Sequence, residues 1–207
     1  MDDLEFLSDG PYDGPGTVVL GHGAGAPMDS PFMAHIASAL ATHGLRVVRF
    51  EFPYMQARRT TGQRKPPDRE PVLLEMWRRV VDQLGGGERL VIGGKSMGGR
   101  MASMVADEVN ARGLVCLGYP FHAPGRPEKP RVAHLLELRT PALIVQGTRD
   151  PFGSPDEVAG YGLPNRIRVH WIEDGDHDFK PRKASGRTQQ QNWDEAAEQV
   201  ATFVATL

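Results

Sequence analysis

The chain holds one cysteine, Cys116, so it cannot close an intrachain disulfide, and nothing in its composition calls for an oxidising compartment. It lacks any apolar run near the roughly 18 residues that span a bilayer. Its start, Met1-Asp2-Asp3-Leu4-Glu5, has neither the basic opening nor the apolar stretch of a secretory signal. These absences lead to the expectation of a cytoplasmic protein with no membrane partner. An excess of charge of one sign is also missing. The formal net charge is -2, which gives no electrostatic reason to expect nucleic acid as a partner. There is no internal repeat, no low-complexity tract and no His-Glu-x-x-His for zinc. Cys116 lies in the apolar run Leu114-Val115-Cys116-Leu117 and reads as a small core residue rather than a reactive thiol.

What is present is an ordinary globular composition, 40% apolar and 24% charged over 207 residues. A domain of that size buries roughly 70% of the surface its unfolded chain exposes, so one domain, 1–207, is expected. Short apolar runs alternate with segments of helical spacing. The runs are 17–20, 46–50, 89–92, 114–117, 142–145 and 167–172. Those at 90–92, 114–117 and 142–145 are continuously apolar, as strands buried on both faces tend to be. Helices are expected over 32–42, 72–84, 99–110 and 192–206, the first carrying Met33, Ile36, Ala37 and Leu40 on one face. Strands alternating with helices imply an α/β fold: a doubly wound, mostly parallel sheet with helices on both faces. The connections 53–70 and 119–131 are longer than packing requires. The first reads as a solvated loop or a pocket rim, and neither is long enough to form more than a small cap.

The stretch Val91-Ile92-Gly93-Gly94-Lys95-Ser96-Met97-Gly98-Gly99-Arg100 admits two readings. A phosphate-binding loop requires a glycine five residues before Gly94, but that position is Arg89 and the intervening residues form a strand. The other reading is a sharp strand-to-helix turn that lifts Ser96 above the carboxyl edge of the sheet, with Gly94 and Gly98 where side chains would collide. A serine hydroxyl needs a base within hydrogen-bond reach and an acid to orient that base. Asp150 follows the run ending at Val145, and His177 follows the run ending at Ile172, which gives the chain order Ser, Asp, His. His35, His43, His134 and His170 read as surface or packing residues, and His22 as an anchor for its own turn.

The spacing Asp174-x-Asp176-x-Asp178 opens like a calcium loop, but the loop's glycine and glutamate positions hold Phe179 and Ser185, so no metal is expected. An oxyanion site is expected from the N–H of Met97 and a second N–H in Gly21-His22-Gly23-Ala24-Gly25-Ala26, assigned to Ala24 with Gly23 as the alternative. The glycine spacing of that turn does not fit a dinucleotide site. Gly23, His122 and Tyr54 are candidates for lining the pocket. Lys95, Arg100 and Arg149 either favour an anionic acyl group or form ion pairs with Glu51 or Asp107, the latter being the expected outcome.

The motifs Gly-His-Gly-Ala-Gly-Ala (21–26), Phe-Pro-Tyr-Met (52–55), Gly-Gly-Lys-Ser-Met-Gly-Gly-Arg (93–100), Gly-Tyr-Pro-Phe-His (118–122) and Gln-Gly-x-x-Asp-Pro-Phe-Gly (146–153) resemble those of small, lidless α/β-hydrolases of the dienelactone-hydrolase-like superfamily. The resemblance runs from about residue 15 to the end. It implies the α/β-hydrolase fold without a substantial lid and a triad of Ser96, Asp150 and His177, and it leaves the substrate open. Dienelactone hydrolases proper use a cysteine nucleophile, so their substrate does not carry over to a chain with serine at 96. The expectation is a serine hydrolase of small-molecule esters or thioesters, without cofactor and of unassigned oligomeric state. The alternative is a catalytically weak interaction module, since the subgroup includes a chromatin-complex subunit.

Overall fold

The computed structural model describes residues 4–207. The acidic start at 1–3, from which no secretory signal is expected, lies outside the described residues. Seven strands form one sheet: β1 (Leu7–Asp9), β2 (Thr17–Gly21), β3 (Arg46–Phe50), β4 (Leu90–Lys95), β5 (Gly113–Leu117), β6 (Ala142–Gly147) and β7 (Ile167–Ile172). Their spatial order is β1-β3-β2-β4-β5-β6-β7, parallel throughout except for β1, which pairs antiparallel with β3. The chain winds one way from β2 to β3, then returns across the sheet to β4. The carboxyl ends of β2 and β4 therefore sit side by side at the switch point, where such folds place their sites.

Among the described residues seven α-helices cover the two faces: α1 (Pro31–Thr42), α2 (Pro53–Thr61), α3 (Glu70–Gln83), α4 (Met97–Val105), α5 (Ala133–Leu136), α6 (Pro155–Ala159) and α7 (Gln189–Ala205). Alternation along each strand divides the core in two. Val18, Leu20, Val47, Val91, Val115 and Val145 pack against Ile36, Leu40, Val200 and Phe203 of α1 and α7. Val19, Val48, Ile92, Leu114 and Ile144 pack against Met76, Trp77, Met101 and Leu135 of α3, α4 and α5. Helix starts follow local chemistry: proline occupies the first turn of α1, α2, α3 and α6, where its missing N–H costs nothing. α7 opens on a capping box between Thr188 and Gln191.

Several expected boundaries shift. The connection 53–70 is not a plain loop, because Pro53–Thr61 is α2, anchored by only two buried residues, Tyr54 and Met55. β1 and α6 are additional elements, each of five residues or fewer. β4 runs three residues past Ile92, through Gly93 and Gly94 to Lys95, and α4 starts at Met97 rather than 99. The connection 119–131 contains turns and no helix, so nothing helical there covers the carboxyl edge of the sheet. Among the described residues no helix is long and apolar enough to cross a membrane.

Candidate active site

Between the last residue of β4 and the first of α4 stands Ser96 alone, at φ 50° and ψ −113°. A non-glycine residue held there stores about 1–3 kcal/mol of strain. Its surroundings hold it in place: Ser96 N–H donates to Leu117 O at 2.9 Å, and Ser96 O accepts from Arg100 N–H at 2.9 Å. The turn is tight because the Gly21 carbonyl of β2 is wedged against it. A Cβ at Gly94, which has φ 149°, would lie 2.0 Å from Gly21 O, and one at Gly98 would lie 2.2 Å from the same atom. Both glycines are thus fixed by close backbone approach.

The Ser96 hydroxyl reaches His177 Nε2 at 2.9 Å, and His177 Nδ1 reaches Asp150 Oδ2 at 2.8 Å. Three residues from the ends of β4, β6 and β7 thereby form one hydrogen-bonded line. The Asp150 side chain is fully buried, whereas that of His177 is 20% exposed. Burying a carboxylate requires partners. Asp150 Oδ2 also accepts from Gln146 Nε2 at 2.9 Å, and Oδ1 accepts from Phe152 N–H at 2.9 Å. Gln146 is itself fixed, accepting from Tyr119 N–H and donating to Tyr119 O. The Phe152 ring lies against the imidazole, with 4.3 Å between centroids. Neither Gln146 nor Phe152 was singled out from sequence, although both fall in the motif 146–153 that contains Asp150.

The turn after β2 is organised by His22, which is completely buried. Its Nδ1 meets Gly23 O at 2.7 Å, and Nε2 accepts from Phe52 N–H at 3.1 Å, which fixes the proton on Nδ1. Burial pushes this imidazole below its ordinary value, in keeping with a ring that is neutral. Tyr54 OH donates to Ala24 O at 2.9 Å, so Tyr54 supports the turn from behind. A Cβ on Gly23 would lie 3.8 Å from Ser96 Cβ, which shows how near the turn comes to the hydroxyl. The N–H of Met97 is the first of α4 and has no intrahelical carbonyl to meet. Neither it nor the Ala24 N–H donates to any acceptor among the described residues.

A cavity of about 360 Å³ opens beside the hydroxyl, lined by Gly23, Ala24, Phe32, Met33, Phe152 and His177 among others. A larger depression of about 500 Å³ near His43, Leu45 and Val204 includes none of Ser96, Asp150 and His177 among its lining residues. Tyr54 and His122 do not line the site cavity. Tyr54 turns its hydroxyl to the Ala24 carbonyl. His122 is buried against Ala123 O and lies 3.5 Å from Glu157 of α6.

The expected ion pairs form with other partners. Lys95 lies 3.3 Å from Asp178, Arg100 is 2.9 Å from Glu70, and Arg149 is 3.3 Å from Asp174. Glu51 is taken instead by Arg59, and Asp107 by Thr140 and Arg139. Burial pushes the Lys95 ammonium below its ordinary value, while Asp178 and then Asp150 draw it back up. The Asp174-x-Asp176-x-Asp178 run ties its own loop. Asp174 accepts from Arg182, and Asp176 accepts from the N–H groups of Asp178 and Lys180. Among the described residues no three His, Cys, Asp or Glu side chains are grouped to hold a metal. His35 pairs with Asp194, His170 with Glu195, and His134 with Ser103, all away from the cavity.

A family model described as an alpha/beta hydrolase domain matches residues 15–205. Among solved structures, the chain is similar to an alpha-beta serine hydrolase homologue from Coxiella burnetii, with a TM-score of 0.70 and 19% identity over 99% of this chain and 91% of that one. It is also similar to a serine hydrolase without lid from Xanthomonas campestris, with a TM-score of 0.67 and 20% identity over 95% and 89% of the two chains. A dienelactone hydrolase from Anabaena variabilis gives a TM-score of 0.73 and 21% identity over 98% and 91%. At these identities the structural likeness speaks for the fold.

Proposed function

Because the chain belongs to the alpha/beta hydrolase domain family, we propose that it is a serine hydrolase, cleaving carboxylic ester or thioester bonds of small molecules through an acyl-enzyme. The observation that carries this reading is the unbroken line from Ser96 Oγ through His177 to buried Asp150, with contacts of 2.9 and 2.8 Å. Ser96 Oγ attacks the acyl carbon as His177 Nε2 takes its proton. The carbonyl π electrons move to oxygen, giving a tetrahedral oxyanion. His177 then returns the proton to the leaving alcohol or thiol as its bond to carbon breaks. Water repeats the sequence on the acyl-enzyme and releases the acid. Asp150 holds the imidazole with Nδ1 protonated and balances the positive charge the ring acquires.

The N–H groups of Met97 and Ala24, both without acceptors among the described residues, serve as the oxyanion donors, each contributing about 3–4 kcal/mol to the transition state. The cavity of about 360 Å³ favours a short acyl group. The decisive test is labelling by a fluorophosphonate together with turnover of p-nitrophenyl acetate. Wild type is expected to show both, and folded Ser96→Ala neither. A Ser96→Ala protein that still labels and turns over would remove the assignment.

A further inference from the structure

The residue just before the nucleophile is tied to the residue that bears the base, and the tie does not run through the serine hydroxyl. Lys95 ends β4 with a side chain only 9% exposed. Its Nζ donates to the main-chain carbonyl of His177, 82 positions away, at 2.7 Å. A Cβ at Gly118 would lie 3.1 Å from Lys95 Nζ and 3.1 Å from His177 O, so the glycine at the end of β5 leaves the space in which they meet.

The loop that Lys95 grips is a strained reversal, with Asp174 at φ 55° and Phe179 at φ 60°. Three successive carbonyls of this loop are each held by side chains. Phe179 O accepts from Asn192 Nδ2 at 2.8 Å, and Asp178 O from Trp193 Nε1 at 2.9 Å, both donors belonging to α7. His177 O alone is held from the nucleophile's own strand, by Lys95. We propose that Lys95 is a positioning residue, which locks the main chain of His177 to the strand that carries Ser96 and sets an ammonium charge beside the imidazole.

This inference rests on the hydrolase reading above. Two effects follow from it. A base displaced by about 1 Å loses on the order of 10²-fold in rate, and Lys95 is the contact that fixes the carbonyl of the base from the nucleophile's side. The ammonium also acts through charge. The charged groups around it are Asp178, Asp150 and Asp176, in that order of influence, and Phe32 of α1 covers it with its ring 5.6 Å away. With the ammonium removed and Asp178 left without its cation, the field around the imidazole becomes more negative. The acid limb of the rate profile then moves to higher pH.

The test compares Lys95→Met, Lys95→Gln and Lys95→Arg with wild type in kcat and KM for p-nitrophenyl acetate across pH, in the rate of fluorophosphonate labelling, and in thermal unfolding. Lys95→Met, which keeps the buried aliphatic stem, is expected to fold and to lose about 10²-fold in kcat with KM within about threefold, its acid limb displaced upward and its labelling slowed in parallel. Lys95→Arg, which keeps a charged donor, recovers part of the loss. Lys95→Gln, which keeps an N–H without the charge, loses less kcat than Lys95→Met and still moves the limb. If Lys95→Met does not fold, the Gln and Arg variants decide by that same limb shift. Wild-type rates in Lys95→Met, or a lowered plateau with an unmoved acid limb in every folded variant, would overturn the proposal. A folded wild type that fails to label removes the hydrolase reading and this inference with it. A labelled wild type beside an indifferent Lys95→Met removes this inference alone.

Discussion

Replacing Asp150 by asparagine changes one atom of a fully buried side chain and forces a conflict that can be worked out from the contacts. Both carboxylate oxygens now accept: Oδ2 from His177 Nδ1 and Gln146 Nε2, and Oδ1 from Phe152 N–H. An asparagine offers one oxygen and one NH₂. If its oxygen takes the Oδ2 place, the NH₂ confronts Phe152 N–H, donor against donor. If the NH₂ takes that place, it confronts Gln146 Nε2 and drives His177 into the tautomer with Nε2 protonated, which cannot accept the serine proton. Gln146 cannot turn over to relieve this without losing both of its bonds to Tyr119. Either orientation leaves one buried donor unsatisfied, at about 1–3 kcal/mol of stability. Either also removes the negative charge that balances the imidazolium in the transition state. The kcat for p-nitrophenyl acetate should fall by roughly 10³- to 10⁴-fold with little change in KM, the scale seen when a triad acid is neutralised. Stopped-flow acylation kinetics and urea unfolding of the same preparation read both effects. Retention of more than about a tenth of wild-type kcat would refute the reasoning, since Asp150 would then not be orienting the base.

Two predictions concern the scaffold. Gly98→Ala brings a Cβ to 2.2 Å from Gly21 O and 2.7 Å from His22 O, both backbone atoms, so urea unfolding should show a loss of about 1–3 kcal/mol or more. Gly25→Ala meets nothing within 4 Å and should leave stability within about 0.5 kcal/mol; equal effects would mean that the wedged carbonyl does not set the turn. Burial holds His22 and His134 below the ordinary histidine value of 6.5. Below that value the unfolded chain binds protons that the native chain refuses. Their contribution is therefore complete above about pH 6.5 and is lost as pH falls through it. The urea midpoint should drop between about pH 7 and 5, before carboxylates such as Asp107 and Glu157, with ordinary values of 3.8 and 4.5, titrate. A flat midpoint over that interval would mean that the native state accepts the charged rings.

The sequence revealed what periodicity and backbone sterics dictate. Strands such as Leu114–Leu117 and Ala142–Val145 are apolar on both faces and read as central. Helices with a full stripe, such as α1 and α3, were visible for the same reason. Elements with almost no buried stripe escaped: α2 buries only Tyr54 and Met55, and β1 is three residues held by pairing with β3. β4 was cut short because Gly93 and Gly94 carry no apolar signal, although they continue the strand. In the candidate site, the meeting of Ser96, Asp150 and His177 was legible because each follows a strand in the order such a turn requires. Partners set by three-dimensional neighbours were not. Arg100 finds Glu70 across the α3–α4 contact, and His122 turns away toward α6, outcomes that no spacing along the chain encodes.

Buried polar residues gather along the carboxyl edge of the sheet without reference to any motif. Every parallel strand leads into one: His22 after β2, Glu51 after β3, Lys95 at the end of β4, His122 beyond β5, Gln146 and Asp150 at β6, and Asp174 after β7. Toward the opposite edge lies Thr140, before β6, whose hydroxyl donates to Asp107. Desolvating polar groups costs stability unless each is matched, and apolar residues would fill the same volume at lower cost. A fold that places such groups along one rim and strains Ser96 there has departed from the local rules its core obeys elsewhere, as functional sites do. Substitutions along this rim should therefore be judged by the partner left behind. Removing Gln146 strips a donor from a buried carboxylate, and removing Lys95 strips one from the main chain of the base, whereas an equal loss of volume in α7 only opens a cavity.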